Sequence, residues 1–327
     1  MNAESCQRGK IYYWSQLVRL PTVFTVIANV SAGFLLIARG PNPLSRWAIV
    51  VLAGISLYWG GMILNDVFDL ETDRKERPMR PLPAGNICSK FARMIGWALL
   101  VVGILLAALS GLIHSDSVVP TWLPAAIAAA LAMMIYFYDG PLKNTPLAPA
   151  AMGICRLLSF LLGASPVLLL PDAGEPFTAK YVIAIALGFG LYVMGITTMA
   201  RNEAARDVSA SDWSHNLKVG LVVTMIGAGV LAFAPQTAPR EVVWHLSPWL
   251  HFPILIAMIV YPVALRGYRC ISAPNPQKIQ LTVRSGILTI IPLSAAVAVL
   301  AAGPVWGLAI FALIVPAFWL GAKFPVT

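Results

Sequence analysis

Apolar runs separated by short polar clusters repeat along the whole chain. Ten of them approach the roughly 20 residues that a helix needs to cross the hydrocarbon core of a bilayer. They lie at 20–38, 46–65, 92–113, 119–138, 148–170, 179–200, 217–235, 248–265, 281–301 and 304–321. Only Gly303-Pro304 joins the last two, which read as two spans or as one span with an interfacial helix. The pattern therefore predicts an all-α polytopic membrane bundle of nine or ten transmembrane helices. No connecting stretch is long enough for a soluble domain, so residues 1–327 are expected to form a single integral-membrane domain. The first span is too long for a removable signal peptide and lacks a cleavage site in the right place.

Composition sharpens this picture. Hydrophobic residues make up 58% of the chain and charged residues 11%, which excludes a disordered chain and an ordinary soluble enzyme. The four cysteines, Cys6, Cys88, Cys155 and Cys270, form no C-x-x-C pair, so neither a disulfide framework nor a zinc site is legible. With a cytoplasmic N-terminus, 18 of the 23 basic residues fall on the cytoplasmic side. The net charge of +9 is thus mainly a topology signal, and a nucleic-acid partner is not expected. Cytoplasmic loops are expected at 74–90, 139–147, 201–216 and 266–280.

The acids carry the chemistry, because carboxylates are costly at membrane depth and mark function there. Eight of the 14 gather in two short stretches, 66–76 and 203–212, at the ends of the second and sixth spans. Asp66, Asp69 and Asp73 fall within an arc of about 60° on one helical face. Three carboxylates so placed repel one another unless cations lie between them, and an all-oxygen set suits Mg²⁺ bridging to substrate phosphates. Pro78 and Pro81 stop the helix and hold Arg77 and Arg80 nearby. Glu203 and Asp207 share a face at i,i+4. A basic turn, Tyr138-Asp139-Gly140-Pro141-Leu142-Lys143-Asn144-Thr145-Pro146, follows the fourth span on the same side. A solvated helix end is the plain alternative for either cluster, and Arg201, Glu203 and Arg206 also fit ordinary surface charges. Taken together, two metal-type clusters flanked by guanidinium groups describe a diphosphate site.

The stretch N-D-x-x-D-x-x-x-D-x-x-x-R-P-x-R-P-L at 65–82 resembles the first signature of the UbiA superfamily of intramembrane prenyltransferases. Glu203-x-x-x-Asp207 is similar to the family's second acidic motif, with Glu where Asp is usual, and the Tyr138…Lys143 turn is similar to its basic loop. Phrases such as Gly153-Ile154-Cys155-Arg156 further resemble the EboC-like branch. The resemblance implies helices around a central cavity that opens to the cytoplasmic side and to lipid. It implies two Mg²⁺ held by Asp66, Asp69, Asp73, Glu203 and Asp207, with Arg77, Lys143 and Arg206 meeting an isoprenyl diphosphate. Asn65 and Asn202 would orient a ligand or a metal-bound water, or serve helix packing. Prenyl transfer to an aromatic or other lipophilic acceptor is the implied reaction. A terpene cyclase using the same site, or a transporter, is the alternative. The expected location is the cytoplasmic (inner) membrane of a bacterium, with the active site facing the cytoplasm. Tyr58, Trp59, Tyr136, Phe137, Tyr138 and Tyr192 are read mostly as interface-belt aromatics, able in principle to line a carbocation pocket. Gly60-Gly61 is read as a point of close helix approach.

Overall fold

The computed structural model describes residues 9–113, 118–169, 179–201, 210–272 and 275–324. Fourteen α-helices account for most of them, and no strand occurs among the described residues. In chain order these are α1 (Lys10–Leu17), α2 (Val23–Ala38), α3 (Leu44–Phe68), α4 (Leu70–Glu76), α5 (Ser89–Leu112), α6 (Leu123–Asp139) and α7 (Ala148–Ala164). There follow α8 (Lys180–Ala200), α9 (Ala210–Phe233), α10 (His251–Ser272), α11 (Pro276–Leu288), α12 (Ile290–Ala302), α13 (Pro304–Phe311) and α14 (Ile314–Lys323).

Every apolar run read from the sequence is helical, and the differences lie in lengths and breaks. Among the described residues, eight helical stretches are long and apolar enough to cross a membrane. The runs expected at 119–138 and 148–170 shrink to the 17-residue helices α6 and α7. Pro120 and Pro124 have no N–H to donate, so α6 starts only at Leu123, with Pro124 in its first turn. The stretch Pro276–Ala302 is interrupted at Thr289 into α11 and α12, and α13 and α14 divide the last run. The short α1, which the hydrophobic pattern did not single out, precedes a tight turn in which Arg19 takes a left-handed conformation with φ 47°. That turn aims the Arg19 side chain back toward the end of α3.

Packing separates central from peripheral helices. The window around α2 is 72% buried, whereas those of α10 and the final α13–α14 run are 28% and 22% buried. Large apolar side chains such as Leu105, Val222, Met258 and Trp319 stay exposed on the outside, where lipid is their natural solvent. One apolar core joins α2 and α7 to α8, α9, α10 and α12, and a second joins α2 and α7 to α3, α5 and α6. Close approach depends on small residues. A Cβ on Gly153 of α7 would lie 2.7 Å from the Gly190 carbonyl oxygen of α8, and one on Gly190 would lie 3.0 Å from that of Gly153. A Cβ on Gly60 would meet the Gly96 carbonyl oxygen at 3.0 Å, so the expected close-packing role of the Gly60-Gly61 step is what α3 and α5 show.

At one end of the bundle, Arg46 is fully buried and donates to the carbonyl oxygens of Ile113, Val118, Val119 and Pro166 at 2.7–3.3 Å. It ties together the chain leaving α5, entering α6 and leaving α7. At the other end a small apolar cluster of Leu17, Ile63, Val67, Leu82, Ile87 and Ala92 pins the turn between α4 and α5 against α1 and α3. This second contact sets the position of Arg80.

Candidate active site

The acidic signature straddles a helix end. Asn65 and Asp66 finish α3, Asp69 sits between α3 and α4, and Asp73 lies in α4. The Asp69 N–H donates to Asn65 O at 3.0 Å and the Asp73 N–H to Asp69 O at 2.8 Å, so the i,i+4 register of the acids persists across the junction. Arg77, Pro78 and Met79 carry the chain outward, and Pro81 and Leu82 bring it back to the small apolar cluster at the end of α3, which turns Arg80 inward.

Bases from three separate elements meet the acids. Arg80 Nη1 lies 2.8 Å from Asp73 Oδ2 and 3.6 Å from Asp66 Oδ1, with all three side chains at least nine-tenths buried. Arg19 Nη2 lies 3.3 Å from Asp66 Oδ1 and 3.5 Å from Asn65 Oδ1. Lys143 Nζ bonds Asp69 Oδ2. Asn65 Nδ2 donates to Asp139 Oδ1 at 2.7 Å, while Asp139 Oδ2 is buried with no hydrogen-bond partner. From the sequence, Mg²⁺ was expected between the three acids, with Arg77 and Arg80 held nearby; in this arrangement the cations against them are Arg80, Arg19 and Lys143, the last two from distant positions in the chain.

Of the residues expected to meet substrate, Asn65 and Lys143 join this cluster, and Arg77 is exposed outside it. Asn202, Glu203, Arg206 and Asp207 lie outside the described residues. The sequence reading missed Arg19 and Asp139 as site residues and gave Arg80 only a neighbouring place. Arg19 is distant in sequence from the acids and stands out only in the phrase Arg19-Leu20-Pro21-Thr22-Val23-Phe24-Thr25, another that resembles the EboC-like branch, whereas Asp139 sits inside the basic turn already singled out.

Beside the cluster is a cavity of about 100 Å³ between α2, α3, α6 and α7. Asp139 belongs to its wall, together with Tyr58, Tyr138, Arg156 and Ser159, amid apolar side chains such as Val26, Leu131 and Met152. Tyr58 and Tyr138 thus face the cavity, whereas Tyr136 and Phe137 are exposed as belt aromatics would be. Tyr192 is buried elsewhere and donates to Gly286 O at 3.0 Å. Gly61 also lines the cavity, where a side chain would take up space.

As for metals, the acids offer oxygen ligands without imidazole or thiolate, a donor chemistry that fits Mg²⁺. Among the described residues, however, no three acidic, histidine or cysteine side chains converge as a ready-made ion site. The carboxylates are closed by their own cations in this arrangement.

A bundle of helices long and apolar enough to cross a membrane thus carries a buried acid–base cluster that adjoins an interior cavity. The chain matches the UbiA prenyltransferase family over residues 26–283 and belongs to it. It is an integral-membrane prenyltransferase of the UbiA type. It is 29% identical over 261 residues to digeranylgeranylglyceryl phosphate synthase of Methanoculleus marisnigri, covering 77% of this chain and 84% of that protein. It is 33% identical to the enzyme of the same name from Ignicoccus hospitalis over 42% of each chain. Among solved structures, one from a study of digeranylgeranylglyceryl phosphate synthase in membranes aligns with TM-score 0.62 at 20% identity, covering 90% of this chain and 99% of that one. A UbiA homolog from Archaeoglobus fulgidus bound to DMAPP and Mg²⁺ aligns with TM-score 0.58 at 16% identity, covering 91% and 99%. The structural likenesses establish the fold. Neither the cyclase nor the transporter alternative is favoured by these relatives, and their archaeal sources give no support to a bacterial inner membrane.

Proposed function

We propose that the chain, acting as one domain over residues 1–327, ionises an isoprenyl diphosphate at the acid–base cluster and transfers the prenyl group to a lipophilic acceptor in the adjoining cavity. The observation that carries this reading is the continuity from Arg80, Asp73 and Asp66 through Arg19 and Asn65 to Asp139, which is itself part of the cavity wall. A charged leaving-group site and an apolar reaction chamber are thereby joined.

Mg²⁺ bound by Asp66, Asp69 and Asp73, with Glu203 and Asp207, would supply positive charge to the diphosphate oxygens. Lys143 and Arg80, now bonded to Asp69 and Asp73, would turn to phosphate oxygens and stabilise the departing charge. Arg77 and Arg206 are further candidates for that contact, and Asn65 and Asn202 for orienting the ligand. Tyr58 and Tyr138 line the chamber in which positive charge would develop on the allylic carbon, and an aromatic ring there can stabilise it. The surrounding apolar side chains exclude water, which would otherwise trap the cation as an alcohol. The name of the relatives points to an acceptor bearing a glyceryl phosphate. Concentration of Lys and Arg on the loops at this end supports a cytoplasmic site. The EboC-like branch rests on the sequence phrases alone.

The test is product profiling by mass spectrometry after incubating purified protein with Mg²⁺ and a ladder of prenyl diphosphates, with and without acceptors. Acceptor-dependent prenylated product is expected. A cyclic hydrocarbon or alcohol formed without acceptor would move the assignment to the cyclase reading, and no diphosphate release from any substrate would end both.

A further inference from the structure

Charge is balanced unevenly around the end of the bundle that holds the acid–base cluster. Beside α4 the surface bases sit among acids: Arg74 pairs with Glu71 at 2.7 Å, and Lys75 is followed by Glu76. From residue 213 onward the sequence has seven bases and one acid, Glu241. That acid lies between α9 and α10 at their far ends, where the His245 N–H donates to Leu300 O near the close of α12. Lys218, Arg266, Arg269, Lys278, Arg284 and Lys323 are all exposed, and among the described residues none of them has a carboxylate partner.

Contacts inside the bundle bring these six cations to one level. A Cβ on Gly267 of α10 would lie 2.8 Å from Leu221 Cδ1 of α9, which sets Lys218 beside Arg266 and Arg269 along the bundle axis. Cys270 Sγ and Thr282 Oγ1, 3.1 Å apart, clasp α10 to α11 one turn from Lys278. A Cβ on Gly321 of α14 would lie 3.1 Å from Arg284 Nη2 and 3.9 Å from Pro21 Cβ. Pro21 belongs to the turn from which Arg19 reaches Asp66. The ends of α9, α10, α11 and α14 therefore form one arc on the side of the acid–base cluster, with Gly267, Cys270 and Ile279 buried and the cations facing out. Below that arc the same helices expose Ile226, Met258, Tyr261 and Val315. Lys323 lies over the Trp319 ring at 5.4 Å, its charge held at the rim of this apolar wall.

We propose that this arc is a binding surface for anionic phospholipids of the leaflet on the cluster's side, their headgroups on the cations and their acyl chains along the apolar wall. Six like charges without acids between them repel one another, and counter-charge at the membrane surface relieves that repulsion. A soluble polyanion or an acidic protein would meet the cations and leave the wall beneath them unused. An anion covalently joined to hydrocarbon chains meets both. The surface is separate from the prenyltransferase reading, because none of the six residues belongs to the acid–base cluster or the cavity.

The experiment titrates the full detergent-solubilised chain with phosphatidylglycerol or phosphatidylcholine of the same acyl chains and counts bound lipid by native mass spectrometry. Phosphatidylglycerol should bind about fivefold or more tighter, the scale of one cation near an anionic lipid surface. Added salt should weaken that preference. Arg266→Gln/Arg269→Gln should remove most of it, whereas Arg74→Gln/Lys75→Gln, the same loss of charge where acids are interspersed, should keep it. If the first variant fails to fold, Lys218→Gln/Lys278→Gln takes two charges from the same arc and carries the same expectation. Glycerol 3-phosphate, an anion without chains, should not displace phosphatidylglycerol at equal concentration; displacement at parity would give the arc to a soluble phosphate and overturn the proposal. Equal binding of the two lipids by the parent protein overturns it as well, and so does a preference that survives both arc variants or falls equally in Arg74→Gln/Lys75→Gln. The readout involves no diphosphate release, so its outcome and that of the transferase test stand apart.

Discussion

Arg80→Gln is the perturbation on which the site architecture makes its sharpest demand. The Arg80 side chain is 9% accessible and its Asp73 partner 6%, at 2.8 Å. Deleting the guanidinium leaves Asp73 buried with its charge uncompensated, and half of the Asp66 environment changes as well. Truncating one partner of such a pair costs about 3 kcal/mol, far above the 0–1 kcal/mol of an exposed pair. That loss would lower the apparent melting temperature by roughly 5 °C or more. The neighbouring Arg77 is exposed, so Arg77→Gln should stay within about 0.5 kcal/mol of the parent. Adding Asp73→Asn to Arg80→Gln removes the orphaned charge and should restore much of the stability, a non-additivity that a double-mutant cycle measures. The assay is thermal unfolding of the detergent-solubilised protein, followed by a thiol-reactive dye, for the four variants and the parent. Equal melting shifts for Arg77→Gln and Arg80→Gln, or strict additivity in the Arg80/Asp73 cycle, would refute the buried-pair reasoning.

Further expectations concern chemistry and topology. Asp69→Asn should abolish most Mg²⁺-dependent diphosphate release while leaving folding largely intact, because Asp69 is partly accessible and its Lys143 partner can turn to solvent; activity undiminished in EDTA would contradict a metal-assisted reaction. Glu203→Gln should weaken the apparent Mg²⁺ affinity and Glu203→Asp should retain partial turnover, read from diphosphate release across a Mg²⁺ titration; superimposable curves for the parent and Glu203→Gln would remove this residue from the site. Cys88 is exposed, and the backbone N–H groups of Phe91 and Lys90 lower its thiol pKa below the ordinary value, so it is a good maleimide target. With a cytoplasmic site it should resist an impermeant maleimide in intact cells and react after lysis; efficient labelling from outside would invert the topology. Cys270 is buried against Thr282 and is a poor reporter of sidedness.

The sequence alone determined the membrane-helical class, the approximate place of every apolar run and the identity of the acidic signature. Those features are local: a run of apolar residues must satisfy its backbone within the segment once in lipid, and a carboxylate-rich helix end is conspicuous where charge is scarce. Lengths and breaks at Pro120, Pro124 and Thr289 were legible less well, because a helix end depends on what satisfies the last backbone groups as much as on hydropathy. Tertiary structure decided how the acids are neutralised. Periodicity along one helix could place Asp66, Asp69 and Asp73 together, but not bring Arg19, Arg80 and Lys143 to them. It likewise decided that Arg80 turns inward while Arg77 stays exposed, since that choice is made by the packing of Leu82 and Ile87 on α1 and α3. The cavity belongs to the same category: Tyr58, Asp139 and Arg156 are far apart in the chain, and only the convergence of α3, α6 and α7 makes their side chains one wall.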